Sequence, residues 1–128
     1  MDDVVDKILL ANGAYDIACA CSILGMPGLG LLSDLHATMF QDEAHVHNPV
    51  IRRLMAYWVL TYGVVRAAAG FQRELYMVGA LTYFIEAFCF QYESRIGGTV
   101  VRSKATVVSV VSFLMGGFLL WRALTSST

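Results

Sequence analysis

Charged residues, prolines and cysteines are all scarce in this chain. Nine Lys/Arg against ten Asp/Glu leave a formal net charge of −1, which excludes the basic stripe that a nucleic-acid partner calls for. Charged residues make up 15% of the 128 positions, where a soluble domain usually carries about 25%. The three cysteines, Cys19, Cys21 and Cys89, all lie in apolar stretches. An odd number in such places does not make a disulfide framework. Cys19 and Cys21 also stand on different faces of a helix, because two residues turn about 200°. Buried free thiols are therefore expected. The start, Met1-Asp2-Asp3-Val4-Val5-Asp6-Lys7, is acidic and lacks both the basic n-region of a signal peptide and the character of a transit peptide. Any organelle address is expected in an internal helix.

What the chain does have is apolar bulk: 57% hydrophobic residues and a mean hydropathy of +0.60. A soluble domain carries about 45–50% apolar residues, so the membrane class is the better starting point. Four apolar segments stand out, at residues 8–32, 54–70, 75–92 and 105–121. Each is near the roughly 17–25 residues a spanning helix needs, and in lipid an isolated segment satisfies its backbone only as a helix. The expected fold is all-α, a single-domain integral membrane four-helix bundle over residues 1–128. Gly25-Met26-Pro27-Gly28 reads as a helix break near the membrane surface. The loop of residues 33–53 is expected to hold a short interfacial helix around Leu35–Phe40, ended by Asn48-Pro49. Phe71-Gln72-Arg73-Glu74 is a tight turn that makes the second and third spans an antiparallel hairpin. Four spans put both termini on one side with Lys7, Arg73 and Arg122, facing Arg52, Arg53, Arg95, Arg102 and Lys104 on the other. That balance favours the longer loops facing the cytoplasm or matrix.

Asp16, Arg66 and Glu86 are ionisable groups inside expected spans, and such groups are costly in hydrocarbon. At 1.5 Å per residue Asp16 lies ~12 Å in from the terminal side, Glu86 ~16 Å and Arg66 ~6 Å. Arg66 is thus within snorkelling distance of the headgroups, or turns inward to Asp16 and less easily to Glu86. A buried ion pair or snorkelled arginine that fixes packing, a proton or ion relay, and a contact to a partner or lipid headgroup are the three readings. Asn12 and Asp16 share a helix face, as do Tyr83, Glu86, Phe90 and Glu93, which suggests a polar seam of the first span facing the third. Small residues form two stripes, Gly63, Ala67 and Gly70 in the second span and Ser109, Ser112 and Gly116 in the fourth. Such stripes let helix backbones approach closely in lipid. His45 and His47, with His36 nearby, match no ordinary closed zinc site and are expected to be solvated or partner-bound. No nucleophile–base–orienter set, phosphate loop or cofactor motif is visible, so neither catalysis, cofactor nor metal is expected.

From Arg53 onward, to Trp121, the chain resembles the ergosterol-biosynthesis scaffold family, small four-pass membrane proteins that hold the sterol C4-demethylation enzymes together. The landmarks are Trp58, Arg66, Leu75-Tyr76, Phe90 followed by Glu93, and Gly98-Thr99 before the last span. The first helix and its loop match only in general character. Cys89 stands where the family tends to have a histidine ahead of the glutamate, and neutral Thr125-Ser126-Ser127-Thr128 replaces a basic tail. The resemblance implies a scaffold before it implies a pathway.

The expected role is therefore a non-catalytic scaffold or accessory subunit, with other membrane-protein subunits and lipids as partners. A respiratory or ATP-synthase assembly of the mitochondrial inner membrane is the first specific reading. A scaffold tethering sterol C4-demethylation enzymes in the endoplasmic reticulum membrane is the alternative. A small ion-coupled transporter is the third, resting on Asp16, Arg66 and Glu86.

Overall fold

Asn48-Pro49 starts a helix here; it does not end one. The Asn48 side chain accepts hydrogen bonds from the backbone N–H of Val50 (3.0 Å) and Ile51 (3.4 Å), and proline at the first helical position has no N–H to leave unpaired. In the computed structural model, which describes residues 2–42 and 47–126, this cap opens the third of five α-helices among the described residues. They are α1 (Asp2–Ile23), α2 (Gly30–Ala37), α3 (Pro49–Phe71), α4 (Tyr76–Tyr92) and α5 (Arg102–Thr125), with a 3₁₀ turn at Arg73–Leu75 and a π-turn at Glu93–Gly97. Among the described residues there is no strand, only an isolated antiparallel bridge between Phe40 and Val100. The fold is all-α.

The first apolar segment is not one helix of residues 8–32. It divides because Gly25 takes a left-handed φ of +94°, and the N–H groups of Gly25 and Met26 turn back to the carbonyls of Ser22 and Cys21, closing α1 in a Schellman cap. The short loop helix consequently covers Gly30–Ala37 and not Leu35–Phe40. Ser22 fastens it: its hydroxyl donates to the Leu29 carbonyl and accepts from the Ser33 N–H. Arg52 Nε donates to the Ile23 carbonyl at 2.9 Å, satisfying the end of α1 from α3. The α4–α5 connection is closed by Gly98 at φ +67° and tied to the first loop by Val101 N–H to Met39 O (2.8 Å) and Gln41 N–H to Thr99 O (2.9 Å).

The long helices pack as two antiparallel pairs. In the α1–α3 pair the backbones nearly touch. A Cβ on Gly13 would lie 2.6 Å from the Ala67 nitrogen, one on Gly63 2.9 Å from the Gly13 oxygen, and one on Gly70 2.7 Å from Leu10 Cγ. In the α4–α5 pair, α5 buries Ala105, Ser109, Ser112, Gly116 and Leu119, an alternating three- and four-residue spacing that lines one helix face. Ser109 Oγ donates to the Ala87 carbonyl at 3.2 Å, and a Cβ on Gly116 would meet Phe84 at 3.0 Å. Val5, Leu9, Ala69, Tyr76, Ala80, Tyr83 and Leu119 form a core at one end, the end where α1 starts and α5 finishes.

The exterior is apolar. Phe71 is 80% exposed, Phe88 70%, Leu114 66% and Phe113 62%, while Arg66 is among the largest fully buried side chains. α3 and α5 are each long and apolar enough to cross a membrane, with only 33% and 22% of their most apolar windows buried inside the structure. The core helix of a soluble protein would be mostly buried. Among the described residues two helices, not four, meet that measure. α1 carries Asp3, Asp6, Lys7 and Asp16, and α4, with 17 residues, extends about 26 Å at 1.5 Å per residue against a ~30 Å hydrocarbon core.

Candidate functional site

Three helices converge on Arg66. Its Nη1 donates to Asp16 Oδ2 of α1 at 2.7 Å, its Nη2 to Glu86 Oε2 of α4, and its Nε to Thr82 Oγ1 at 3.1 Å. The Thr82 hydroxyl in turn donates a hydrogen bond to the Gly79 carbonyl at 2.7 Å. The guanidinium carbon stands 3.8 Å from the centroid of the Tyr83 ring and 5.1 Å from that of Tyr62, so both aromatic faces add cation–π attraction. Tyr83 in turn donates through its hydroxyl to Asn12 Oδ1.

This arrangement decides between the alternatives for Arg66. The side chain is 2% exposed and does not snorkel; it turns inward and engages Asp16 and Glu86 together. Depth measured along separate helices placed Glu86 out of easy reach, but α3 and α4 are joined by a short turn and lie side by side. Asn12, Asp16, Tyr83 and Glu86 do form one polar seam between α1 and α4. Glu93 does not belong to it. Its carboxylate accepts from Thr99 Oγ1 at 2.6 Å and its carbonyl from the Thr99 N–H at 2.9 Å, so it fastens the π-turn at the opposite end. Sequence reasoning passed over Tyr62 and Thr82, whose residue types are ordinary in apolar helices. The only signal was their spacing, with Tyr62 one turn before Arg66 and Thr82 one turn before Glu86.

Gly63, Ala67 and Gly70 lie against α1, and Ser109, Ser112 and Gly116 against α4. His36 and His47 line a small cavity of 80 Å³ with Arg52 and Met55. His36 Nε2 is 3.2 Å from Met55 Sδ, and burial pushes its pKa below the usual imidazole value. His45 lies outside the described residues. Among the described residues no three His, Cys, Asp or Glu side chains are grouped to hold a metal ion. Cys19, Cys21 and Cys89 are free thiols, Cys19 buried and the others half-buried.

Two larger spaces flank the Arg66 layer. One is an apolar cavity of 350 Å³ near the loops, between Trp58, Met55, Phe90 and Val100. The other is a cleft of 460 Å³ between α1 and α5 that reaches Asp16, Arg66 and Glu86.

Residues 28–119 match the family model described as Erg28 like protein. The chain belongs to this family. The Erg28-like match extends well ahead of Arg53, taking in α2 and the first loop as well as the landmarks noted from sequence. No curated protein and no solved structure matches the chain. The Erg28-like landmarks have identifiable structural work. Trp58 packs on Tyr62 and Phe90, with ring centroids 5.0 and 6.2 Å apart. Tyr76 donates to Asp6, joining α4 to α1. Arg66 joins three helices, and Glu93 with Gly98-Thr99 shapes the last turn before α5.

Proposed function

We propose that the chain is a non-catalytic scaffold that crosses the endoplasmic reticulum membrane four times and tethers sterol C4-demethylation enzymes. The observation that carries this reading is the Erg28-like match over residues 28–119. The apolar exterior supports the membrane setting. α1 and α4 pack lengthwise against α3 and α5, so a bilayer crossed by the latter pair is crossed by all four. The carboxylates that weaken α1 and α4 as lone spans are met inside the bundle by Arg66. The loop end, with Arg52, Arg53, Arg95, Arg102 and Lys104, faces the cytoplasm.

Every guanidinium nitrogen of Arg66 is engaged by the protein itself, which favours a structural layer over a reacting group. Nothing favours the mitochondrial assembly, and the family match weighs for the sterol reading. Partners are other membrane-enzyme subunits, and lipid covers the remaining surface.

Purification of tagged full chain from its own membranes in mild detergent tests the proposal. C4-demethylation enzymes are expected to co-purify, and deletion of the gene is expected to accumulate 4-methyl sterols. A preparation enriched in respiratory or ATP-synthase subunits, with sterols unchanged, would overturn it.

A further inference from the structure

α1 and α5 meet only at the terminal end, where Val5 and Leu9 share a core with Leu119. Beyond it they part, leaving the 460 Å³ cleft. Its walls are apolar and open: Ile8 is 44% exposed, Val107 64% and Val111 54%. Its floor is polar, and the charge there is lopsided. Arg66 is sealed at 2% exposure, whereas the Asp16 and Glu86 side chains are 13% and 19% exposed. One guanidinium faces two carboxylates, so the ionised layer carries one excess negative charge, and the groups open to the cleft are the acceptors. Ser112, 4% exposed, lines the cleft as well.

We propose that this cleft seats a transmembrane helix of a partner protein that carries a Lys or Arg side chain near mid-membrane. The proposal rests on the membrane-scaffold reading and gives the partner its chemistry. An apolar helix covers the valine wall, and its basic group completes the charge at Asp16 and Glu86. Glu86 stands ~15 Å along α4 from Tyr76 and ~9 Å from Tyr92 at 1.5 Å per residue, inside the span. A second copy of this chain does not supply the group. Arg66 is its one basic residue at that depth, already engaged, and the others lie in turns or near helix ends.

The test uses purified full chain in phosphatidylcholine vesicles with a fluorescent oligoleucine transmembrane peptide of about 21 residues bearing a central Lys, and a central-Leu control. Energy transfer is expected to report association roughly tenfold tighter for the Lys peptide. Glu86→Gln removes the excess charge and is expected to abolish that preference. Val111→Trp fills the cleft from its wall without touching the Arg66 layer, and is expected to lower binding of both peptides. Equal binding of the two peptides to the wild-type chain overturns the proposal. So does undiminished binding of the Lys peptide by Val111→Trp, which decides the matter if Glu86→Gln does not fold. The scaffold reading fails separately, through the co-purification experiment, because enzymes held at other surfaces would still be recovered with Val111→Trp.

Discussion

The Arg66 guanidinium gives each nitrogen to a different neighbour, Nη1 to Asp16, Nη2 to Glu86 and Nε to Thr82. Arg66→Gln leaves two carboxylates facing each other in an apolar interior, and removing one partner of a buried ion pair costs ~3–5 kcal/mol. Abundance in membranes and thermal stability in detergent are expected to fall accordingly. Adding Asp16→Asn restores part of the loss, because Glu86 is still uncompensated, and adding Glu86→Gln as well restores most of it. A double variant as stable as the triple would remove Glu86 from the layer. An ion relay gives the opposite pattern: stable single variants that lose a pH-dependent flux. His36 supplies a second residue-scale expectation. Its folded pKa lies below the usual imidazole value because burial penalises the cation, so the unfolded chain binds more protons. Stability is then complete above about pH 6.5 and declines as pH falls from there toward the folded pKa. Melting curves from pH 7.5 down to 5 should show this slope, and His36→Phe should flatten it. The three charged residues were legible in the sequence because ionisable groups are anomalous in apolar runs. Their company was not. Pairing depends on which helices become neighbours, and Thr82 and Tyr62 carry no such anomaly.

At the scale of elements, the α1–α3 contact depends on three absent side chains. Gly13→Ala, Gly63→Ala and Gly70→Ala each place a Cβ within 3.0 Å of the facing helix. Overpacking of this kind typically costs about 1–3 kcal/mol. Gly117→Ala, with open space around its Cβ, serves as the control, expected to be neutral or slightly stabilising since alanine is the better helix former. Thermal unfolding in detergent checks the series; equal melting temperatures in all four variants would mean that the helices separate there without cost. Gly63, Ala67 and Gly70 could be read from sequence as a face. Gly13 could not, because the long apolar run around it hides which side of α1 is covered. The third apolar run matches its helix to within one residue at both ends, whereas the first, second and last long helices begin three to six residues before the apolar runs do. The long first segment was misjudged, since its apolarity continues through Gly25 while its backbone hydrogen bonding does not.

At the scale of the whole molecule, α1 starts and α5 finishes at one end of the bundle, and the turns joining α1 to α2 and α4 to α5 lie at the other. Single cysteines at Asp3 and Ser126, in a chain with Cys19, Cys21 and Cys89 replaced by alanine, are expected to label from the same side of sealed membranes. A cysteine at Ile96, 71% exposed, is expected to label from the opposite side. Matching label at all three positions would mean that α4 and α5 do not both cross. The pairing of α1 with α3 also sets a calendar for synthesis. Asp16 is synthesised 50 residues before Arg66, so on the proposed four-span reading the carboxylate of the first helix has no cation to meet until α3 is made. Glu86 follows 20 residues after Arg66 and closes the layer. On that reading insertion is a joint act of three helices, and the earliest one made is among the last to be secured.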